Sequence, residues 1–132
     1  KEEIKPYIES LGHTVTDFGT YSEDSVDYPD YAAPCARAVV SGEMDRGIVI
    51  CGTGIGISIA ANKIKGVRCA LCTDPVMARL TREHNDTNMM AIGAGFTGEL
   101  LALEMVDVFL NTPFSEGERH ARRVAKVNAI QP

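Results

Sequence analysis

Ile48-Val-Ile-Cys-Gly-Thr-Gly-Ile-Gly-Ile-Ser58 is the stretch that decides how this chain folds. Ile48, Val49, Ile50 and Cys51 make a short apolar run of the kind buried in a parallel sheet. Gly52, Gly54 and Gly56 follow at alternate positions, and Ile57, Ala60, Ala61 and Ile64 then recur at helical spacing. A strand, a glycine-rich turn and a helix in that order gather backbone N–H groups at a helix N-terminus, where the dipole favours an anion. Cys51 stands at the carboxyl end of the strand, where open α/β sheets place their chemistry. A thiol beside converging N–H donors can act as base or nucleophile next to a hole for a developing oxyanion. The same turn is compatible with nucleotide binding or with close packing alone, and most buried cysteines are inert. It is not a P-loop, since no Gly-Lys-Ser/Thr follows. Nor is it the dinucleotide fingerprint, because its glycines alternate and no acidic residue follows at the ribose distance.

Outward from this stretch, helix and strand signals alternate. Ile4, Tyr7, Ile8 and Leu11 form a helical stripe ended by Gly12, and residues 13–18 read as a short strand followed by a polar loop over 19–27. Pro29 opens a helix with Tyr31, Cys35, Ala38 and Val39 inward, closed by Gly42. Residues 67–72 and 89–92 read as strands. Helices run through Val76, Met77 and Leu80, and over 99–110 with Ala102, Met105, Val106 and Phe109 on one face. Ser115-Glu-Gly-Glu118 fits a capping box opening a last helix. The expected fold is therefore α/β: a three-layer, Rossmann-like parallel sheet with helices on both faces. Four strands are visible. Because the chain opens on a helix, a fifth strand is expected before Lys1.

At 132 residues, 45% hydrophobic and 23% charged, the chain has the make-up of one globular domain over 1–132. A net charge of −5 argues against nucleic-acid binding. No apolar run approaches the ~20 residues of a membrane span, and no secretory signal is visible. A cytoplasmic enzyme without nucleic-acid or membrane partners is the expectation. Cys69-Ala-Leu-Cys72 has the spacing of a redox pair, but residues three apart on a strand face opposite ways, with Cα atoms about 10 Å apart, beyond disulfide reach.

Other segments carry chemistry. Arg82-Glu-His-Asn-Asp86 offers His84, which titrates near neutrality, and Asn85, an amide able to hold hydroxyls. Arg119 and Arg123 share a helix face beside His120 and suit a phosphate clamp or a solvated basic face. Tyr28 sits at a loop-to-helix boundary. Together with the glycine stretch, Asp17-Phe-Gly-Thr20, Val26-Asp-Tyr-Pro29, Arg82-Glu-His-Asn-Asp86 and Arg119-His120 make the chain resemble the type B ribose-5-phosphate isomerases. That group also holds galactose-6-phosphate isomerase subunits and allose-6-phosphate isomerases.

The resemblance spans essentially the whole chain. It implies aldose–ketose interconversion of ribose 5-phosphate and ribulose 5-phosphate through an enediolate, with no metal and no organic cofactor. Cys51 matches the general base. Gly52, Thr53, Gly54 and Gly56 match the loop that holds the enediolate oxygen, and His84 the residue that helps open the sugar ring. Asn85 matches a ligand of sugar hydroxyls, Arg119, His120 and Arg123 match phosphate contacts, and Tyr28 lies close to substrate in similar enzymes. A homodimer or homotetramer with sites built from two subunits is implied as well. Gly95 departs from the pattern, since similar enzymes commonly carry an arginine there. A six-carbon aldose phosphate is the alternative substrate, and a non-catalytic phosphate- or nucleotide-binding module the alternative class.

Overall fold

The computed structural model describes residues 3–19 and 27–130. Among them, three strands form one parallel sheet: β1 (Gly47–Cys51), β2 (Cys69–Leu71) and β3 (Met89–Gly93), in the order β1-β3-β2. The register pairs Gly47 with Met89 and Cys51 with Gly93, and Cys69 with Met89 on the other side. Six helices accompany it: α1 (Ile4–Ser10), α2 (Pro29–Val40), α3 (Ile55–Asn62), α4 (Pro75–Asn85), α5 (Glu99–Asn111) and α6 (Glu118–Ile130).

The central strand β3 is buried along its whole length, and alternation sends its side chains to opposite layers. Met90 and Ile92 join Ile4, Cys72, Ala78, Ala102, Met105, Val106 and Phe109, so α1, α4 and α5 cover one face. Met89 and Ala91 join Ala32, Ala36, Val39, Val49, Ile57 and Ala61, so α2 and α3 cover the other. The three-layer reading therefore holds, and the stripe foreseen on α5 is fully buried.

Several local expectations need correction. Residues 13–18 pair with no strand; they run as irregular chain past α1. The described sheet thus has three strands where five were expected, and the one placed before Lys1 lies outside the sequence. Most of the polar loop foreseen at 19–27 lies outside the described residues. A groove of about 980 Å³ runs along β1 between Ile4, Ile8, Val15, Val39, Ile48 and Ile50. This groove includes none of the candidate site residues. On α4, Val76 and Met77 face outward and Ala78, Thr81 and Arg82 face inward. The capping box also fails. Glu116 turns the chain with φ 59°, and the Gly117 carbonyl accepts from Ala121 N at 2.8 Å, so α6 starts after Gly117 without a side-chain cap from Ser115.

The start of α4 follows its sequence signals: Asp74 accepts from Met77 N at 2.9 Å and Pro75 occupies the first turn. Phe109→Ala, at a fully buried position, is expected to cost about 3–5 kcal/mol in denaturant unfolding. Val76→Ala, at a position 54% exposed, should change stability by less than about 0.5 kcal/mol in the same measurement.

Candidate active site

The loop after β1 folds back over the end of β3. Ala94 N donates to the Cys51 carbonyl at 2.8 Å and Gly95 N to the Gly52 carbonyl at 2.9 Å. Gly54 has φ +76°, a left-handed conformation that L side chains rarely adopt. A β-carbon there would also fall 2.5 Å from Leu71 Cδ1. That turn aims Gly54 N at Cys51 Sγ, 3.2 Å away. A β-carbon on Gly56 would meet the Tyr28 ring at 2.6 Å, so Tyr28 packs directly over the loop. Around Gly52 there is open space, with nothing within 4 Å of where a β-carbon would stand. Gly95, the position where the resemblance leads one to expect arginine, has only 3.0 Å between such a carbon and the Gly52 carbonyl oxygen. A side chain there requires the Gly52 carbonyl to give by a few tenths of an ångström.

The environment of Cys51 sets it apart from the other thiols. Its partial burial alone would raise its pKa, but the backbone groups of Ile57, Gly54 and Thr53 and the Thr53 hydroxyl outweigh that and hold it below the ordinary thiol value. The Thr53 hydroxyl accepts from Ile55 N at 3.1 Å, which leaves its own hydrogen for the sulfur. Burial moves the others the opposite way: Cys35 is raised, Cys69 is pushed up to about 12 and Cys72 to about 11. All four cysteines are free.

The other candidates gather elsewhere. His84 and His120 stack with ring centroids 4.3 Å apart and planes 30° from parallel. Asn85 and Arg123 line a hollow of about 120 Å³ with Arg68, Val124 and Val127. Arg119 lies exposed on the first turn of α6. Arg68 was missed by sequence reasoning. Its guanidinium donates to the Asp86 carbonyl at 2.8 Å and to Asn128 Oδ1 at 3.0 Å, tying the end of α4 to α6. The signal was a cation directly before a strand. Arg82, by contrast, is 3% exposed and turns inward to Asp86 Oδ1 at 2.9 Å, the Thr87 carbonyl at 2.7 Å and the Thr112 carbonyl at 2.9 Å. Desolvation, then the positive charges of His84, Arg119 and Arg123, hold the His120 pKa below the usual histidine value, with Glu83 opposing.

Topology separates the two clusters. Cys51 pairs with Gly93 at the carboxyl end of the sheet, whereas His84 and Asn85 close α4 just before Met89 opens β3. The eleven residues of α4 span roughly 16 Å. Cys51, Thr53, Tyr28 and the glycines therefore occupy one end of the sheet. His84, Asn85, Arg119, His120 and Arg123 occupy the other, and one chain does not bring them together. Among the described residues no group of three or more His, Cys, Asp or Glu side chains is placed to hold a metal.

The structure is thus a parallel α/β sheet with the Cys51 thiol in a glycine-rich loop at one end and a histidine–arginine cluster at the other. Residues 1–127 match the family described as Ribose/Galactose Isomerase, and the chain belongs to that family. It is 48% identical over 131 residues to ribose-5-phosphate isomerase B of Escherichia coli, covering 99% of this chain and 87% of that protein. It is 44% identical over 130 residues to a galactose-6-phosphate isomerase subunit of Clostridium acetobutylicum, covering 98% and 75%. The solved structure of ribose-5-phosphate isomerase B of Clostridium thermocellum superposes with a TM-score of 0.95 at 54% identity, covering 98% of this chain and 86% of that one.

At neutral pH, iodoacetamide should alkylate Cys51 well ahead of Cys35, Cys69 and Cys72, as read by peptide mass spectrometry. The rate should rise with pH through a midpoint below that of free cysteine. Preferential labelling of any other thiol contradicts the assignment.

Proposed function

We propose that this chain interconverts ribose 5-phosphate and ribulose 5-phosphate, with Cys51 as the general base. The observation that carries this reading is the downward-shifted thiol held by Gly54 N at the mouth of the loop. The Cys51 thiolate removes the proton from C2 of the open-chain aldose, and the electron pair moves onto O1 as an enediolate. The hydroxyl proton of O2 passes to O1, and as the Cys51 thiol returns its proton to C1 the carbonyl forms at C2, which yields the ketose. The array of N–H groups around Gly52, Thr53, Gly54 and Gly56 lowers the cost of the oxyanion, and losing one such donor typically costs about 100- to 1000-fold in rate. Gly52 leaves the approach to the sulfur open, Thr53 keeps the thiolate hydrogen-bonded, and Tyr28 walls the loop.

In this proposal His84 opens the sugar ring, Asn85 holds hydroxyls, and Arg119, His120 and Arg123 bind the phosphate. Because these groups lie at the far end of the sheet from Cys51, they act on the sulfur end of a second copy. The active species is then a homodimer, or a homotetramer made of such dimers. Ile55 and Ile59, four residues apart on α3, together with Phe96 and Leu100, are more than half exposed near the Cys51 end. Apolar surface of that kind suits a subunit contact. The reaction as written requires no metal or organic cofactor. We place it, as one domain, in the cytoplasm; no helix of the described residues is long and apolar enough to cross a membrane. A six-carbon aldose phosphate is the second reading, favoured by Gly95 standing where arginine is expected.

Turnover of ribose 5-phosphate should exceed that of allose 6-phosphate and galactose 6-phosphate, and Cys51→Ala should abolish it while leaving the circular dichroism spectrum unchanged. Preference for a hexose phosphate would select the second reading, and near-native rates in Cys51→Ala would remove the base. Unfolding and refolding an equal mixture of inactive Cys51→Ala and His84→Ala chains should restore about a quarter of wild-type activity, because half of random dimers contain one intact site of two. No recovery in such a mixture would place both groups in one subunit.

A further inference from the structure

Ser115, which fails as a helix cap, has a fully committed hydroxyl. Its Oγ lies 2.7 Å from the Glu83 carbonyl oxygen, a separation that two oxygens keep only with a hydrogen between them, so the hydroxyl donates there. The same Oγ accepts from Gly117 N at 3.4 Å and stands 3.1 Å from His120 Nδ1. A serine hydroxyl has one hydrogen and two lone pairs. With the hydrogen spent on Glu83, the contact to His120 is attractive only if Nδ1 carries a proton. The stacked His84 ring holds the imidazole plane from the side.

The geometry points to Ser115 as a positioning residue that keeps neutral His120 in its Nδ1–H form, so that His120 donates to an anion through Nε2 only after taking a proton from solvent. This rests on the phosphate-binding role proposed above for His120. In the Nδ1–H form Nε2 is a bare lone pair, which repels a phosphate or sulfate oxygen. Once Nε2 is protonated, the contact becomes a charge-assisted hydrogen bond, about twice as strong as a neutral one. The charged or titratable groups facing the ring are Glu83 and His84 from α4 and Arg119 and Arg123 from α6. Three of these favour the neutral ring and Glu83 opposes them, and anion binding draws in a proton.

Inorganic sulfate is the suitable probe, because its own charge is constant across the range in which histidine titrates. The chain has three histidines, so their ring nitrogens can be assigned in two-bond proton–nitrogen correlation spectra with His84→Gln and His120→Gln chains. Neutral His120 should carry its proton on Nδ1 in the wild type and in Ser115→Thr, and shift toward Nε2–H in Ser115→Ala. The sulfate Kd should rise about tenfold per pH unit above the His120 pKa in the wild type and Ser115→Thr. In Ser115→Ala the rise should flatten, because a neutral Nε2–H ring donates as well. Neutral wild-type His120 protonated on Nε2, an unchanged slope in Ser115→Ala, or no sulfate binding at any pH overturns the inference. Failure of ribose 5-phosphate turnover with both readouts as expected would overturn the isomerase reading alone.

Discussion

The carbonyl of Thr53 lies against the α-carbon of Gly93 more closely than any β-carbon would allow, and the carboxyl end of the sheet depends on that contact. It lets the loop after β1 fold flat across the end of β3, where Ala94 and Gly95 fasten it through their N–H groups. In the fastened loop Gly54 takes the left-handed conformation that turns its N–H onto the sulfur. The lowered Cys51 pKa is thus a product of backbone N–H groups and the Thr53 hydroxyl, with no lysine or arginine among its causes. Cys69 and Cys72, buried without such donors, show what the same side chain does when only desolvation and like charge act on it.

The opposite end of the sheet is organised by guanidinium groups. Asp86 ends α4 with a left-handed backbone, φ 46°, and is held from both sides by Arg82 at 2.9 Å and Arg68 at 3.6 Å. Arg82 spends its donors on Asp86 and on the carbonyls of Thr87 and Thr112, so its burial is compensated and it binds the segment after α5 to α4. That segment carries Ser115. The stacked imidazoles therefore stand beside an ion pair whose arginine, two residues before His84 on α4, is buried and whose Asp86 is partly exposed.

Much of this architecture was legible from periodicity. The β1–loop–α3 unit and the α5 stripe carry signals that tertiary packing reinforces, and the buried faces match. Residues 13–18 have the composition of a strand, but a strand also needs a neighbour, and composition does not supply one. Ser115 matches a capping pattern, yet Glu116 takes a positive φ that no pattern of residue types announces. The candidate site residues were named through the resemblance, which also implies sites shared by two subunits; which of them fall at which end of the sheet was not read, although the signal existed. A helix that follows one parallel strand and precedes the next must run antiparallel to both, so its last residues, His84 and Asn85, fall at the opposite end from Cys51. The His84–His120 stack and the bridging role of Arg68 join elements distant in sequence, and nothing local encodes them.

The placement of sulfur and cations at opposite ends of one sheet also bears on how such proteins diversify. A residue at one end can change without disturbing the packing at the other, since the core between them is made of β3 and its helices. If the gene is duplicated, one copy could keep the thiol loop and lose its histidines and arginines, while the other did the reverse. If, as proposed above, each site is shared by two copies, such a pair would still hold one complete site. An obligatory two-gene enzyme could thus descend from a single-gene one by loss alone, with no new residue required.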